Sequence, residues 1–189
     1  VSHNVKSTSG AILILLMVGA LSGTWLLSGI IPTMIYYGLQ ILSPSIFLAA
    51  SLIICSIISI ATGSSWSTSA TVGIALIGIG NTMGINPGMT AGAVISGAYF
   101  GDKLSPLSDT TNLAAAMAGA DLFDHIKYML ITTVPSMVFS LIIFIIIGLN
   151  LSATGNPDIS DKLAAIDASF NISPWLFLVP ATVILLIVK

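Results

Sequence analysis

The sequence predicts an all-α polytopic membrane protein, with about five to six membrane segments and broken helices. Three observations carry that prediction. Only 6% of the 189 residues are charged while 56% are hydrophobic, and the mean hydropathy is +1.06. A soluble domain carries about 25% charged residues to wet its surface. The apolar residues fall into blocks long enough for membrane helices, and two of those blocks hold Gly, Pro and hydroxyl residues in their interior.

The same arithmetic excludes several classes of protein. Five Lys, no Arg, seven Asp and no Glu leave no basic stripe for nucleic acid. One cysteine, Cys55, excludes a disulfide framework and a cysteine metal site. Two His and no HExxH motif leave no nucleophile–base or metal-ligand set for a membrane-embedded enzyme. No cofactor is implied. The partner the composition demands is the lipid bilayer.

The elements follow in chain order. Residues 11–42 form one overlong apolar block with Gly23, Thr24, Ser28, Gly29 and Pro32 in its middle, read as a span that kinks. Ser43 and Pro44 make a turn, and residues 46–61 form a second, short span. Residues 64–80 begin with hydroxyls and end apolar, as a short or re-entrant segment. Residues 89–120 are a second overlong block, interrupted by GDKLSPLSD. Residues 126–149 are a span, 150–173 a polar loop, and 174–189 a truncated last span, so the chain reads as a piece of a longer one. Under the positive-inside rule, Lys6 and Lys127 mark the cytoplasmic side, opposite the loop with Asp158, Asp161, Lys162 and Asp167. Trp25, Trp66 and Trp175 read as interface anchors.

The chemistry concentrates at residues 96–111, SGAYFGDKLSPLSDTT. Pro106 lacks an N–H and disfavours helical geometry at Ser105, so one helix should stop near Asp102. Another should start at Ser108 or Asp109, both good N-caps. The break frees carbonyl oxygens, and Ser105, Ser108, Thr110, Thr111 and Asn112 crowd more oxygen nearby. With Asp109 or Asp102 supplying charge, this is a plausible oxygen cage for a cation such as Na+. Lys103 directly follows Asp102 and offsets its charge, which gives Asp102 a supporting role and leaves Asp109 as the main carrier.

A second constellation is GSSWSTSAT, residues 63–71. In helical register Ser64, Thr68 and Thr71 share a face, with Ser65 beside them, and together with Thr24 they are read as lining an ion pathway. The competing reading has these hydroxyls bonding their own i−4 carbonyls. Gly97 and Gly101, four apart, read as close helix packing.

Taken in order, GTWLLSGIIPTMIYYGL, TGSSWSTSATVGIA, SGAYFGDKLSPLSDTTNLA and DLFDHIKYMLITTVP closely resemble the NhaC-type sodium/proton antiporter family, which also contains sodium-linked malate/lactate exchangers. The resemblance runs from Gly23 to Pro135, and GDKLSPLSDTT is its most specific part. It implies part of an inverted-repeat secondary transporter of the cell membrane, working by alternating access, with Na+ and H+ as its cargo. It also implies that the remaining part of the same transporter is a partner, and it is compatible with a homo-oligomer. The alternative it implies is a sodium-coupled organic-anion exchanger.

Overall fold

A computed structural model describes residue 20 and residues 23–152 and 159–182. The readings made on residues 1–19, on Asp158 and on residues 183–189 lie outside the described residues. Those described are helical or irregular, with no strand among them.

Helical residues 23–27 lead through a turn at Ser28 and Gly29 into α1 (Ile30–Ile41). Gly29 has φ 85°, a left-handed conformation that side chains resist and glycine accepts. This turn falls within the block read from sequence as a kinked span, residues 11–42. Helix α2 (Pro44–Thr62) starts with extended Ser43 as its N-cap and Pro44 in the first turn. Pro44 opens the helix because a missing N–H costs nothing at that position. Gly63, at φ 69°, ends α2 and reverses the chain.

The return arm is α3 (Ser65–Thr68), a π-helical turn at Ser69–Gly73 and α4 (Ile74–Thr82). It runs back along α2, since Gly80 lies against Phe47 near the start of that helix. Next come α5 (Pro87–Leu104), capped by the Asn86 side chain accepting from the Gly88 N–H at 2.8 Å, and α6 (Asp109–Ala118). The overlong block 89–120 is therefore two helices, with a break at Ser105–Ser108.

Helix α7 (Leu122–Ser152) passes through Pro135 without interruption. Residues 150–173, read from sequence as a polar loop, contain α8 (Ile159–Ser169). Leu163 and Ile166 lie three residues apart and both pack on the core, so an amphipathic helix replaces the loop. A 3-10 turn at Pro174–Phe177 follows, with Tyr37 and Phe177 rings 5.6 Å apart.

Two of the described helices are long and apolar enough to cross a bilayer, Pro44–Thr62 and Leu122–Leu151. Helix α5 lies parallel to α2 at very close range. A Cβ on Gly97 would meet the Leu52 carbonyl, and one on Gly101 would meet the Ser56 carbonyl. Small residues thus let two backbones approach, as the four-residue spacing predicts. Helix α7 runs antiparallel to both. Its Gly148 abuts the Ser45 carbonyl, its Phe144 reaches Gly92, and Thr133 stands across from Lys103. The core between these helices holds Phe47, Leu48, Leu52, Cys55, Ala93 and Val94. Trp25 is not an interface anchor. It is buried with Ile30 and Ile31, whereas Trp66 and Trp175 are exposed.

Candidate functional site

Two irregular points in the chain meet. The α2–α3 reversal at Gly63 touches the backbone of Leu107 in the α5–α6 break, where a Cβ on Gly63 would sit 2.6 Å from the Leu107 carbonyl carbon. Ser105 fastens the contact. Its buried hydroxyl donates to the Ile60 carbonyl of α2 at 2.7 Å and accepts from the Leu107 N–H at 3.2 Å. A helix leaves its last carbonyls without internal partners, and Ser105 supplies one for α2.

Ser108 is the N-cap of α6, accepting from the Thr111 N–H at 3.4 Å, and its hydroxyl also lies 3.0 Å from that of Thr110. The Thr111 hydroxyl is shared between the carbonyls of Lys103 at 3.2 Å and Asp102 at 3.4 Å, near the end of α5. The Asn112 amide donates to the carbonyls of Pro106 at 2.7 Å and Ser108 at 2.8 Å. Ser105, Ser108, Thr111 and Asn112 thus hold the break together: Ser105, Thr111 and Asn112 donate to its carbonyls or to that of Ile60, and Ser108 caps α6.

The carboxylates have different surroundings. Asp102 is half-buried, and the buried Ser65 donates its hydroxyl to Asp102 Oδ2 at 2.9 Å, across 37 positions of chain. That bond is charge-assisted and ties α3 to α5. Asp109 is exposed in the first turn of α6, where the helix N-terminus favours a negative charge. Lys103 makes no ion pair with Asp102 and lines the cleft between α5 and α7, where it is exposed.

The hydroxyl segment is corrected in part. Ser64 caps α3 by accepting from the Ser67 N–H at 3.2 Å. Thr68 donates to the Ser64 carbonyl at 2.9 Å and Thr71 to the Ser67 carbonyl at 2.7 Å, both i−4 bonds. The π turn shifts the register after Thr68, so the face expected through Thr71 does not continue. Ser65 is the member whose side chain reaches an acid. Thr24 sits on the separate arm whose core is Trp25, Ile30 and Ile31.

Two helices long and apolar enough to cross a bilayer, in a fold that is all-helical among the described residues, fit an integral membrane protein. A sequence model of the Na+/H+ antiporter family matches residues 97–189. The chain is 47% identical to the Na+/H+ antiporter NhaC of Alkalihalophilus pseudofirmus over 178 residues, which cover 94% of this chain and 38% of that protein. It is 47% identical to the malate-2H+/Na+-lactate antiporter of Bacillus subtilis over 189 residues, covering 98% of this chain and 40% of that one. The arginine/ornithine antiporter ArcD of Halobacterium salinarum is 39% identical over 166 residues, or 88% of this chain and 34% of that protein. No solved structure matches. The chain is similar over nearly all its length to Na+/H+ antiporters of the NhaC type. It spans about two fifths of the length of the curated relatives it matches.

Proposed function

We propose that this chain is part of a secondary transporter that exchanges Na+ for H+ across the cell membrane by alternating access. The observation that carries the reading is Asp102, held by Ser65 where the chain reversal meets the helix break. A carboxylate can take either a proton or Na+, so the two ions compete for one place. If the protein changes sides with the site filled, but not with a bare carboxylate, the two ions must exchange. Carrying the bare charge through low dielectric costs several kcal/mol. Na+ and H+ are cargo here, and no further cofactor is needed.

The depth of the break supports the reading. Thr133, level with Lys103, is roughly 17 Å from the Leu122 end of α7 at 1.5 Å per residue. A hydrocarbon core about 30 Å thick, centred on a helix about 46 Å long, encloses that level. This portion would contribute about five to six membrane segments, and an inverted-repeat partner in the remaining chain would cover the exposed Asp109. A homo-oligomer is compatible with this arrangement.

Asp109 comes first by sequence, with no adjacent cation and many oxygens. Asp102 comes first by packing, with a bonded serine and partial burial. Proteoliposomes containing the full-length protein and a pH dye separate the two. Asp102→Asn should abolish Na+-dependent proton movement if packing selects the carrier, and Asp109→Asn should abolish it if exposure to the remaining chain does. Exchange retained in both variants would remove the site from this chain.

A second reading, Na+-coupled exchange of an organic anion, is favoured by the malate-2H+/Na+-lactate relative at equal identity. Proton movement that requires malate or lactate, as well as Na+, would select it.

A further inference from the structure

On the outer side of the bundle, α5 and α7 form an open groove. Its polar lining is Ser96, Tyr99 and Lys103 from α5 and Thr133, Ser136 and Ser140 from α7. Both sets stand at i, i+3 and i+7, which puts each on one helix face. Tyr99, Lys103 and Ser136 are exposed, and the other three are half-buried. Exposed apolar side chains border these polar ones, with Ile95 just before Ser96 and Ile143 three positions after Ser140.

Most of the groove's polar groups are uncommitted. Ser56, Thr68, Thr71, Thr82 and Ser136 donate to their own i−4 carbonyls, a usual resting state of a hydroxyl in a membrane helix. Ser96, Tyr99, Thr133 and Ser140 make no side-chain hydrogen bond among the described residues. Lys103 pairs with no acid there either, whereas Lys127 pairs with Asp124 at 3.2 Å. The groove also lies deep, since Thr133 to Ser140 straddle the midpoint of Leu122–Ser152. Lipid tails offer neither a counter-charge nor a hydrogen bond, so a bare ammonium and four free hydroxyls on one face at that depth call for polar neighbours.

We propose that a transmembrane helix from the rest of the full-length transporter docks in this groove and carries an Asp or Glu whose carboxylate pairs with Lys103. The proposal rests on the reading of this chain as a membrane-embedded portion of a longer transporter, and not on which ion that transporter carries. This chain covers only 38% and 40% of the two antiporters compared above, so such a protein has ample chain to fill the groove. Each polar stripe runs for two turns, about 10 Å, a length over which a third helix can lie between two others. Helices associate in lipid through close packing and interhelical hydrogen bonds, which a hydroxyl-lined floor with apolar borders provides. The acid follows from Lys103. An ammonium taken out of water is repaid by an opposite charge in good geometry, and its three donors can be shared between a carboxylate and the hydroxyls beside it. A second copy does not meet this need. No acid lines the groove, so two copies facing each other there would bring together two ammoniums and no carboxylate.

The test uses the full-length protein in the membranes of cells that express it. Photoreactive benzoylphenylalanine is placed at Tyr99 and, separately, at Ser136, and the peptides linked on irradiation are identified by mass spectrometry. Both positions should link to one apolar segment outside these 189 residues, and that segment should hold an Asp or Glu. Links only to lipid, to a second copy or to peptides within the 189 residues would overturn the proposal, as would an outside segment with no acid. The charge pair is then read by thermal unfolding of the purified full-length protein in detergent. Lys103→Gln should lower the midpoint by several degrees and Lys103→Arg should not. Neutralising the linked acid together with Lys103 should recover at least half of that loss, because it removes the unpaired charge. An unchanged midpoint in Lys103→Gln, the result for an ammonium that merely reaches to the membrane surface, would sink the pairing. So would a double variant no better than the single one. Neither readout uses transport. Expected crosslinks in a protein that fails to exchange Na+ for H+ would overturn the proposed function and leave the docking standing, and lipid-only crosslinks with normal exchange would do the reverse.

Discussion

The two helix breaks look alike in sequence and differ in construction. At Ser28–Gly29 the chain turns on one left-handed glycine, with no side-chain cap on α1 and a long bond from the Ser28 hydroxyl to the Trp25 carbonyl at 3.4 Å. At Ser105–Ser108 no residue has positive φ, and Ser105, Ser108, Thr111 and Asn112 each bond backbone groups of the break or of its neighbour α2. The first break is a matter of backbone freedom. The second is a polar joint, and a carboxylate stands beside it. Glycine and proline punctuation alone therefore does not identify a site; the side chains that satisfy the broken backbone do.

That contrast can be broken most severely at Gly63. Valine there meets both a left-handed backbone and the Leu107 main chain, so Gly63→Val should abolish the monodisperse fraction of full-length protein in detergent size exclusion. A normal elution profile would show that the two irregular points need not touch. Ser105→Ala should come next. It leaves the Ile60 carbonyl and the Leu107 N–H without their partner in a fully buried place, at a cost of about 1–3 kcal/mol, read as a lowered midpoint in chemical denaturation.

Gly29→Ala sharpens the comparison from the other side. The nearest atoms to an added Cβ are 3.9 Å away, so only the strain of a left-handed alanine remains, about 1 kcal/mol by the same denaturation. A loss exceeding that of Ser105→Ala would reverse the ranking of the two breaks. Ser65→Ala should have the smallest effect on stability and a specific one on ion dependence. It removes one bond to Asp102, worth about 1 kcal/mol, and should shift the Na+ concentration giving half-maximal proton movement by about fivefold. An unchanged Na+ dependence would separate Asp102 from transport.

Much of the backbone plan was legible in the residues. Pro106 ends α5 and Ser108 caps α6, because a missing N–H and a capping oxygen act within a few positions of themselves. Gly97 and Gly101 announced the close α2–α5 contact, since only small side chains admit it. The polar stretch containing α8 was misread, because its two core-facing apolar residues are outnumbered by polar ones and their partner surface is remote in sequence.

The sequence by itself determined the all-helical membrane character and where helices start and stop. These depend on composition and on hydrogen bonds between near neighbours. Tertiary structure decided which polar groups meet. Ser65 rather than Ser64 reaches Asp102, Lys103 faces α7 instead of its neighbouring acid, and Thr111 covers the carbonyls that looked free. The physical reason is rotation. Consecutive residues on a helix point about 100° apart, so the partner of a side chain is set by how the helix sits against others, as the Gly97–Leu52 contact sets it here.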